Sequence, residues 1–380
     1  MSAKILLTGD YCPIGRNKLY INKGEYSTLF GDFLGYISSA DLAITNLECP
    51  LTNSEKGINK TGPNLKASKE SIKPLEYAGF KLVTLANNHI MDFGAEGLKS
   101  TLKVCKEHHI NTVGSGKNLN EARKPFFITI GAKKFAFINI AENEFCSATD
   151  NAYGANPLNL ITNHYDIKAA KKNADYVIVI SHGGREHYQL PTPKLRERFR
   201  FFVDSGADVV VGHHTHCYSG YEKYNEKLIF YSLGNFVFDY KKKYQKGTWT
   251  QGMGLILDFK SKNIEFQLIP FHQGTVEKPE IQLFNAEERN LFNEHIQKLN
   301  CIIKDDVMFK NEYLKYLGSQ KNMYQGLMFI QNDYLRALIN KGFLPKVFFH
   351  SNKHKRLLLN LLKCETHHEI MTDVLDEPLY

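Results

Sequence analysis

The chain has 380 residues, 43% of them hydrophobic and 23% charged, with a formal net charge of +8. That is the balance of an ordinary soluble globular chain, long enough for a large core and about two domains. Seven scattered cysteines, odd in number and without a C-x-x-C pair, argue against a disulfide framework and for reduced thiols. No run of about 18 apolar residues is present, so no transmembrane segment is expected. The opening MSAKILLTGD is too short in its apolar part for a signal peptide, which points to a cytoplasmic location, with any membrane association made through partners. A charge of +8 permits an anionic small-molecule or polymer substrate. The lysines are spread out, and no nucleic-acid partner is expected.

In chain order, short apolar and β-branched runs predict strands near 4–8, 41–47, 81–85, 134–140, 176–181 and 207–211. Between the last two, PTPKLRERFRFFVDSGAD predicts a helix. Thr192 suits its cap, Pro193 its first turn and Gly206 its stop, with Leu195, Phe199, Phe202 and Val203 on one apolar face. Strand, helix, strand implies a parallel pairing. Runs near 228–232, 253–259 and 264–269, joined by turns such as YNEK and FKSKN, predict an antiparallel meander. From about 280 the pattern turns helical. Asn285 and Glu288 resemble a capping box, and helices are expected over 314–342 and 355–371, before an acidic tail, DVLDEPLY. The domain assignment is 1–278 for the α/β part and 279–380 for a helical extension.

Polar residues gather just after the predicted strands. The first ends in Gly9-Asp10, the second in Asn46-Leu47-Glu48, the third in Asn87-Asn88-His89. The strand at 176–181 ends in His182, and ADVVVG runs into His213, His214 and His216. Singly, such an aspartate is a turn former, Asn-Asn a turn, and a lone histidine a hydrogen-bonded structural residue. Jointly, carboxylate, amide and imidazole groups at the carboxyl ends of five strands describe a metal site on one rim. With no clustered cysteines, a thiolate zinc site is disfavoured; mixed ligands suit Mn, Fe or Zn. Two ions need a bridging carboxylate, which Glu48 or Asp10 can supply.

Six stretches carry a family resemblance: LLTGDYCPIGR, DLAITNLECPLT, LANNHIMDFGAEGL, ISHGGREHYQLPTP, GADVVVGHHTH and LIFYSLGNFVFD, spread over residues 5 to 239. Together they resemble the CapA-type poly-γ-glutamate capsule synthesis family, a branch of the calcineurin-like metallophosphoesterase superfamily. The resemblance implies an α/β fold, a four-layer α-β-β-α metallophosphoesterase-like sandwich, with two divalent metal ions at the strand ends. It implies Asp10 on one metal, Glu48 as the bridge, Asn88 and His182 on the second metal, and His214 and His216 one per ion. Asn46, two positions before Glu48, is a secondary candidate. His89 is implied as general acid with Asp92 as its orienting partner. Arg16 and Glu186 are implied at the rim, where Arg16 can meet an anionic substrate. In an extended segment His214 and His216 share a side and His213 takes the other, leaving Cys217 as a packed neighbour.

Three departures accompany the resemblance. Cys12 stands where the wider superfamily has a histidine, as the CapA-type branch also lacks it, and is expected to be a buried thiol. Gly183 replaces the usual tryptophan and is expected to open space beside the metals. The hydrophobic anchor of secreted forms is absent from the sequence. Two functions are weighed: a metal-dependent hydrolase acting on a phosphoester or related anionic polymer linkage, and a non-hydrolytic assembly or transfer factor working with a capsule-synthesis partner protein.

Overall fold

The first strand, β1 (Ala3–Tyr11), is buried along nearly its whole length. In the computed structural model, which describes residues 2–260, 263–329, 332–343 and positions 358, 361, 362, 367 and 368, the chain is mixed α/β. It continues through β2 (Leu42–Leu47), β3 (Leu82–Thr84), β4 (Asn111–Val113), β5 (Ser115–Gly116), β6 (Phe126–Ile130), β7 (Lys133–Ala141) and β8 (Gly154–Ala155). Then come β9 (Tyr176–His182), β10 (Val209–His213), β11 (Tyr221–Tyr224), β12 (Lys227–Phe230) and β13 (Asn235–Val237). The last are β14 (Gln251–Phe259), β15 (Ile264–His272) and β16 (Gln282–Leu283).

Two large sheets result. One runs β16-β15-β14-β1-β2-β3-β4, with β13 also on β1; the other runs β11-β12-β10-β9-β7-β6. Alternation along β1 divides two cores. Ile5 and Leu7 pack with Phe137, Ile178 and Val210 of the second sheet, whereas Leu6 packs with Leu29, Phe33 and Leu75 of the flanking helical segments. Period-2 alternation makes this division unavoidable. β9 from Val177 to Ile180 and β10 from Val209 to Val211 are apolar without a break because both of their faces are covered.

The helix Pro193–Asp204 forms as the sequence predicts. Thr192 accepts from the Leu195 amide, Pro193 occupies the first turn, and Leu195, Phe199, Phe202 and Val203 are buried. β9 and β10, which it joins, pair in parallel. The expected meander does not form as one unit. β11 and β12 make a hairpin through Asn225-Glu226, and β12 pairs in parallel with β10, all in the second sheet. β14 and β15 make their antiparallel hairpin in the first sheet. Each turn is local and legible, but which sheet receives each hairpin depends on which exposed edge is free, and that is a tertiary matter.

Two compact units are present, Met1–Lys310 and Asn311–Tyr380. In the first, helix Ala286–Lys304 opens with the predicted capping box, Asn285 with Glu288, and buries Phe292, Ile296, Leu299, Ile302 and Ile303. Asn300 Oδ1 accepts from the Tyr221 amide at 2.7 Å, so this helix closes over β11. A helix from Asp306 extends to Phe329, and Asn332 caps Asp333–Asn340. The helix expected over 355–371 and the acidic tail after it lie outside the described residues, apart from helical positions at 358, 361, 362, 367 and 368. Among the described residues, no helix is long and apolar enough to cross a membrane.

Candidate metal centre

Strand register builds the site. Asp10 on β1 is paired with Asn46 on β2 and with Asn235 on β13. His182 on β9 is paired with His213 on β10 and with Ala141 on β7. The carboxyl ends of parallel strands from both sheets therefore deliver their side chains to one place. β1 changes partners to do so: it pairs with β14 up to Leu7 and with β13 from Asp10. The crossing needs Gly9, since a Cβ there would lie 1.9 Å from the Gly234 carbonyl oxygen.

Asp10 and Glu48 are both fully buried. Asp10 Oδ1 accepts from Asn46 Nδ2 at 2.8 Å and lies 3.4 Å from His213 Nδ1; Oδ2 accepts from the His214 amide at 3.3 Å. Burial acts to raise its pKa, but the neighbouring His213, His182 and His216 hold it well below the usual carboxylate range. Glu48 is different. Neither of its carboxylate oxygens has a hydrogen-bond partner, and burial, then the Asp10 carboxylate, push its pKa well up. A buried carboxylate without partners is among the costliest groups a fold can hold. A cation between these residues would offset that cost, so the residues present fit a bound metal.

Around His182 Nε2, Asn88 Oδ1 lies at 3.0 Å, His214 Nδ1 at 3.1 Å and Glu48 Oε1 at 3.4 Å. Atoms that ligate one ion at about 2.1 Å stand roughly 3 to 3.5 Å apart. Among the described residues, two sets of His and carboxylate atoms are close enough to hold an ion: Glu48, His182 and His214, and Asp10, Glu48 and His216. Glu48 belongs to both. Burial and the adjacent His214 lower the His182 pKa well below its usual value, and burial takes His216 to about 4. Both rings are therefore neutral at pH 7, the form in which imidazole ligates metals. Asn46 braces the centre: its Nδ2 serves Asp10 and lies 3.3 Å from His182 Nδ1, while its Oδ1 accepts from Thr84 and Asn87.

The histidine cluster is not extended. β10 ends at His213, after which His214 (φ 91°) and His216 (φ 55°) both take left-handed backbone conformations. Positive φ is uncommon for histidine, and its clustering here marks a segment held by its surroundings. The result differs from simple alternation, because His213 also turns toward Asp10 rather than away from the cluster. His216 Nδ1 is held by Asn235 Oδ1 at 2.9 Å. Cys217 is buried and close to Thr215, and burial pushes its thiol up to about 12. Cys12 is likewise buried, raised by burial and by Cys49, and it sits in the helix-side core.

His89 Nδ1 faces Asp92 Oδ2 at 2.7 Å. Asp92 is fully buried, accepts from the Leu65 amide at 2.6 Å and pairs with the buried Lys60. Arg16 stands apart from this group. Its guanidinium pairs with Asp239 at 2.7 Å and donates to the carbonyls of Thr275 and Val276. Glu186 is exposed beside His187. The space expected beside Gly183 is filled: a Cβ there would meet Glu142 Cγ at 2.5 Å. Glu142 accepts from the Gly184 amide and pairs with Arg198, so a carboxylate anchored by arginine occupies the volume a tryptophan would take.

The bacterial capsule synthesis protein family PGA_cap matches residues 4–240, more than half of the chain. The chain belongs to this family. Among similar proteins, a capsule biosynthesis protein CapA of Bacillus anthracis is 34% identical over 242 residues, 61% of this chain and 59% of its own. A PGA biosynthesis protein CapA of Bacillus subtilis is 34% identical over 249 residues, 62% of this chain and 63% of its own. This chain thus spans about three-fifths of the curated relatives it matches. A hypothetical protein from Thermus thermophilus is similar in structure with a TM-score of 0.45 and 15% identity, over 71% of this chain and 99% of that one.

Several residues around this candidate site escape motif reading. Lys60 lies in a loop with no periodicity, and only the fold brings it to Asp92. Asn235 stands inside LGNFVF, where the visible signal is a strand. Trp249, whose ring lies 4.5 Å from that of His216, has no sequence neighbour that suggests it.

Proposed function

We propose that this protein is a metal-dependent hydrolase of the metallophosphoesterase type, built as a four-layer α-β-β-α sandwich and holding two divalent ions. Its substrate class is a phosphoester, or a related anionic linkage in capsule, polysaccharide or polyglutamate metabolism. The observation that carries this reading is Glu48: buried, without a hydrogen-bond partner, and common to both sets of candidate ligands. In this reading Asp10 and His216 hold one ion, Asn88, His182 and His214 the other, and Glu48 both. When bound, Mn, Fe or Zn ions supply charge to stabilise an oxyanion and to acidify water.

The chain's own groups do the rest. Asp92 fixes His89 by its Nδ1, which leaves Nε2 as the nitrogen to protonate a leaving oxygen. Lys60 pairs with Asp92 and holds it in place, so that His89 keeps one orientation. Asn46 orients Asp10, and Asn235 orients His216 through its other ring nitrogen, as second partners of ligands do elsewhere. Arg16, committed to Asp239 and to the Thr275 and Val276 carbonyls, acts in this reading by holding the chain at that edge in place and not on the substrate.

A second reading is a non-hydrolytic assembly or transfer factor for an anionic capsular polymer, working with a partner protein. It is favoured by the names of the two Bacillus relatives, one assigned to capsule and one to PGA biosynthesis. One experiment separates the two. Metal content is measured, and phosphomonoesters, phosphodiesters and γ-glutamyl peptides are offered with Mn²⁺ to the wild type and His89→Asn. Turnover lost in the variant with metal retained supports hydrolysis. Metal bound with no turnover on any class supports assembly, and no metal after reconstitution overturns the metal-centre reading of the site.

A further inference from the structure

Next to His216 the chain carries four lysines in six residues, at 241, 242, 243 and 246. All four are exposed, and among the described residues none has an acidic partner within ion-pair distance. The loop is not a loose tether. Tyr244, at its centre, lies over Trp249 with ring centroids 4.8 Å apart and stacks on His187 at 5.7 Å, the rings only 15° from parallel. Trp249 in turn packs on His216 at 4.5 Å. The ammonium of Lys243 lies 4.7 Å from the Tyr244 ring and that of Lys241 5.1 Å from the Tyr240 ring. Gln245 Nε2 ties the loop to Asp239 at 3.0 Å. An aromatic stack therefore fixes a run of positive charge two rings, Tyr244 and Trp249, away from a candidate metal ligand.

The Tyr240 and Tyr244 rings hold the ammoniums of Lys241 and Lys243 by cation–π contact, and Lys242 and Lys246 are exposed in the same loop. Four lysine ends, spaced along a short loop, match an anion that repeats its charge along a chain better than a single compact anion. Asp239, the nearby buried carboxylate, is neutralised by Arg16. Glu186, an exposed carboxylate beside His187, lies in electrostatic reach of His216 and His214.

We propose that Lys241, Lys242, Lys243 and Lys246 form a polyanion subsite beside the metal centre, which binds the charged units of an anionic chain next to the unit at the metals. This rests on the reading of the Asp10–Glu48 cluster as the reacting centre and names the class of substrate that cluster would receive. The shared chemistry is a linear chain with about one negative charge per repeat, supplied by carboxylates or by chain phosphates.

The chain's one tryptophan, Trp249, sits inside the stack and reports on the loop. Its emission is followed while the Mn²⁺-loaded protein is titrated with poly-L-glutamate, inorganic polyphosphate of matched length, or inorganic phosphate, at low and high NaCl. The wild type is expected to bind at least one of the two chains in a salt-sensitive way. The variant K241Q/K242Q/K243Q/K246Q is expected to bind that chain about tenfold more weakly or worse, as the loss of several exposed charge pairs implies. Replacing the same four by arginine restores binding, and inorganic phosphate affinity and metal content stay unchanged. Which chain binds distinguishes the carboxylate from the phosphate source. Equal chain affinity in the wild type and the glutamine variant, failure of arginine to restore it, or no binding of either chain overturns the subsite. If the lysine-dependent binding persists in a protein that holds no metal and turns nothing over, the hydrolase reading fails while the subsite stands.

Discussion

Glu48 makes the strongest demand of any single residue. Its carboxylate is buried without a hydrogen-bond partner, and its pKa is pushed upward by burial and by Asp10. If metal binding answers that demand, chelation will remove stability by mass action, about 3 kcal/mol when free metal stands a hundredfold above its Kd. Denaturant unfolding with and without EDTA is expected to show this loss in the wild type and little of it in Glu48→Gln. Lys60 makes the complementary case. It is the buried cation on Asp92, so Lys60→Met leaves a buried carboxylate short of its counter-charge and is expected to cost about 3 kcal/mol. Adding Asp92→Asn should recover part of that loss, and a double-mutant cycle by urea unfolding measures the coupling.

At the scale of elements, turns and caps were legible because their chemistry is local. Thr192, Pro193 and the Asn285–Glu288 box sit where residue type alone puts them. The box also carries a pH signature. Glu288 is held below its usual pKa, first by His272 and then by the Asn285 amide. A depressed carboxyl contributes stability that is present above its unfolded value of 4.5 and is lost as pH falls through the folded value. The carboxylate is partly exposed to solvent, which screens the interaction, so the contribution is small. Stability measured from pH 6 down to 3 is expected to fall more steeply in the wild type than in Glu288→Gln. The meander expected from 228 to 269 went the other way. Its two hairpins are real, but sheet membership depends on long-range edges that turn residues do not encode. The histidine cluster shows the same limit, since alternation holds only for extended backbone and His214 and His216 leave it.

Across the whole molecule, packing decides how much chain the core requires. Helix Ala286–Lys304 buries five apolar residues, and its Asn300 accepts from the Tyr221 amide on β11. A chain ending at Lys310 is therefore expected to unfold in one cooperative transition and to keep the metal content of the full chain. One ending at residue 278 is expected to be strongly destabilised, as thermal melts and metal analysis of the two truncations would show. The sequence by itself determined the strand ends, the caps and the residue types offered to the rim, because apolar periodicity and short-range hydrogen bonding act between neighbours in the chain. Only the tertiary structure decided that Glu48 stands between two ligand sets, that Lys60 meets Asp92, that Glu142 fills the space beside Gly183 and that Trp249 joins His216 to a lysine loop. Those pairings join residues from about 30 to more than 150 positions apart. No local preference selects them, and they exist only once two sheets have closed on a shared core.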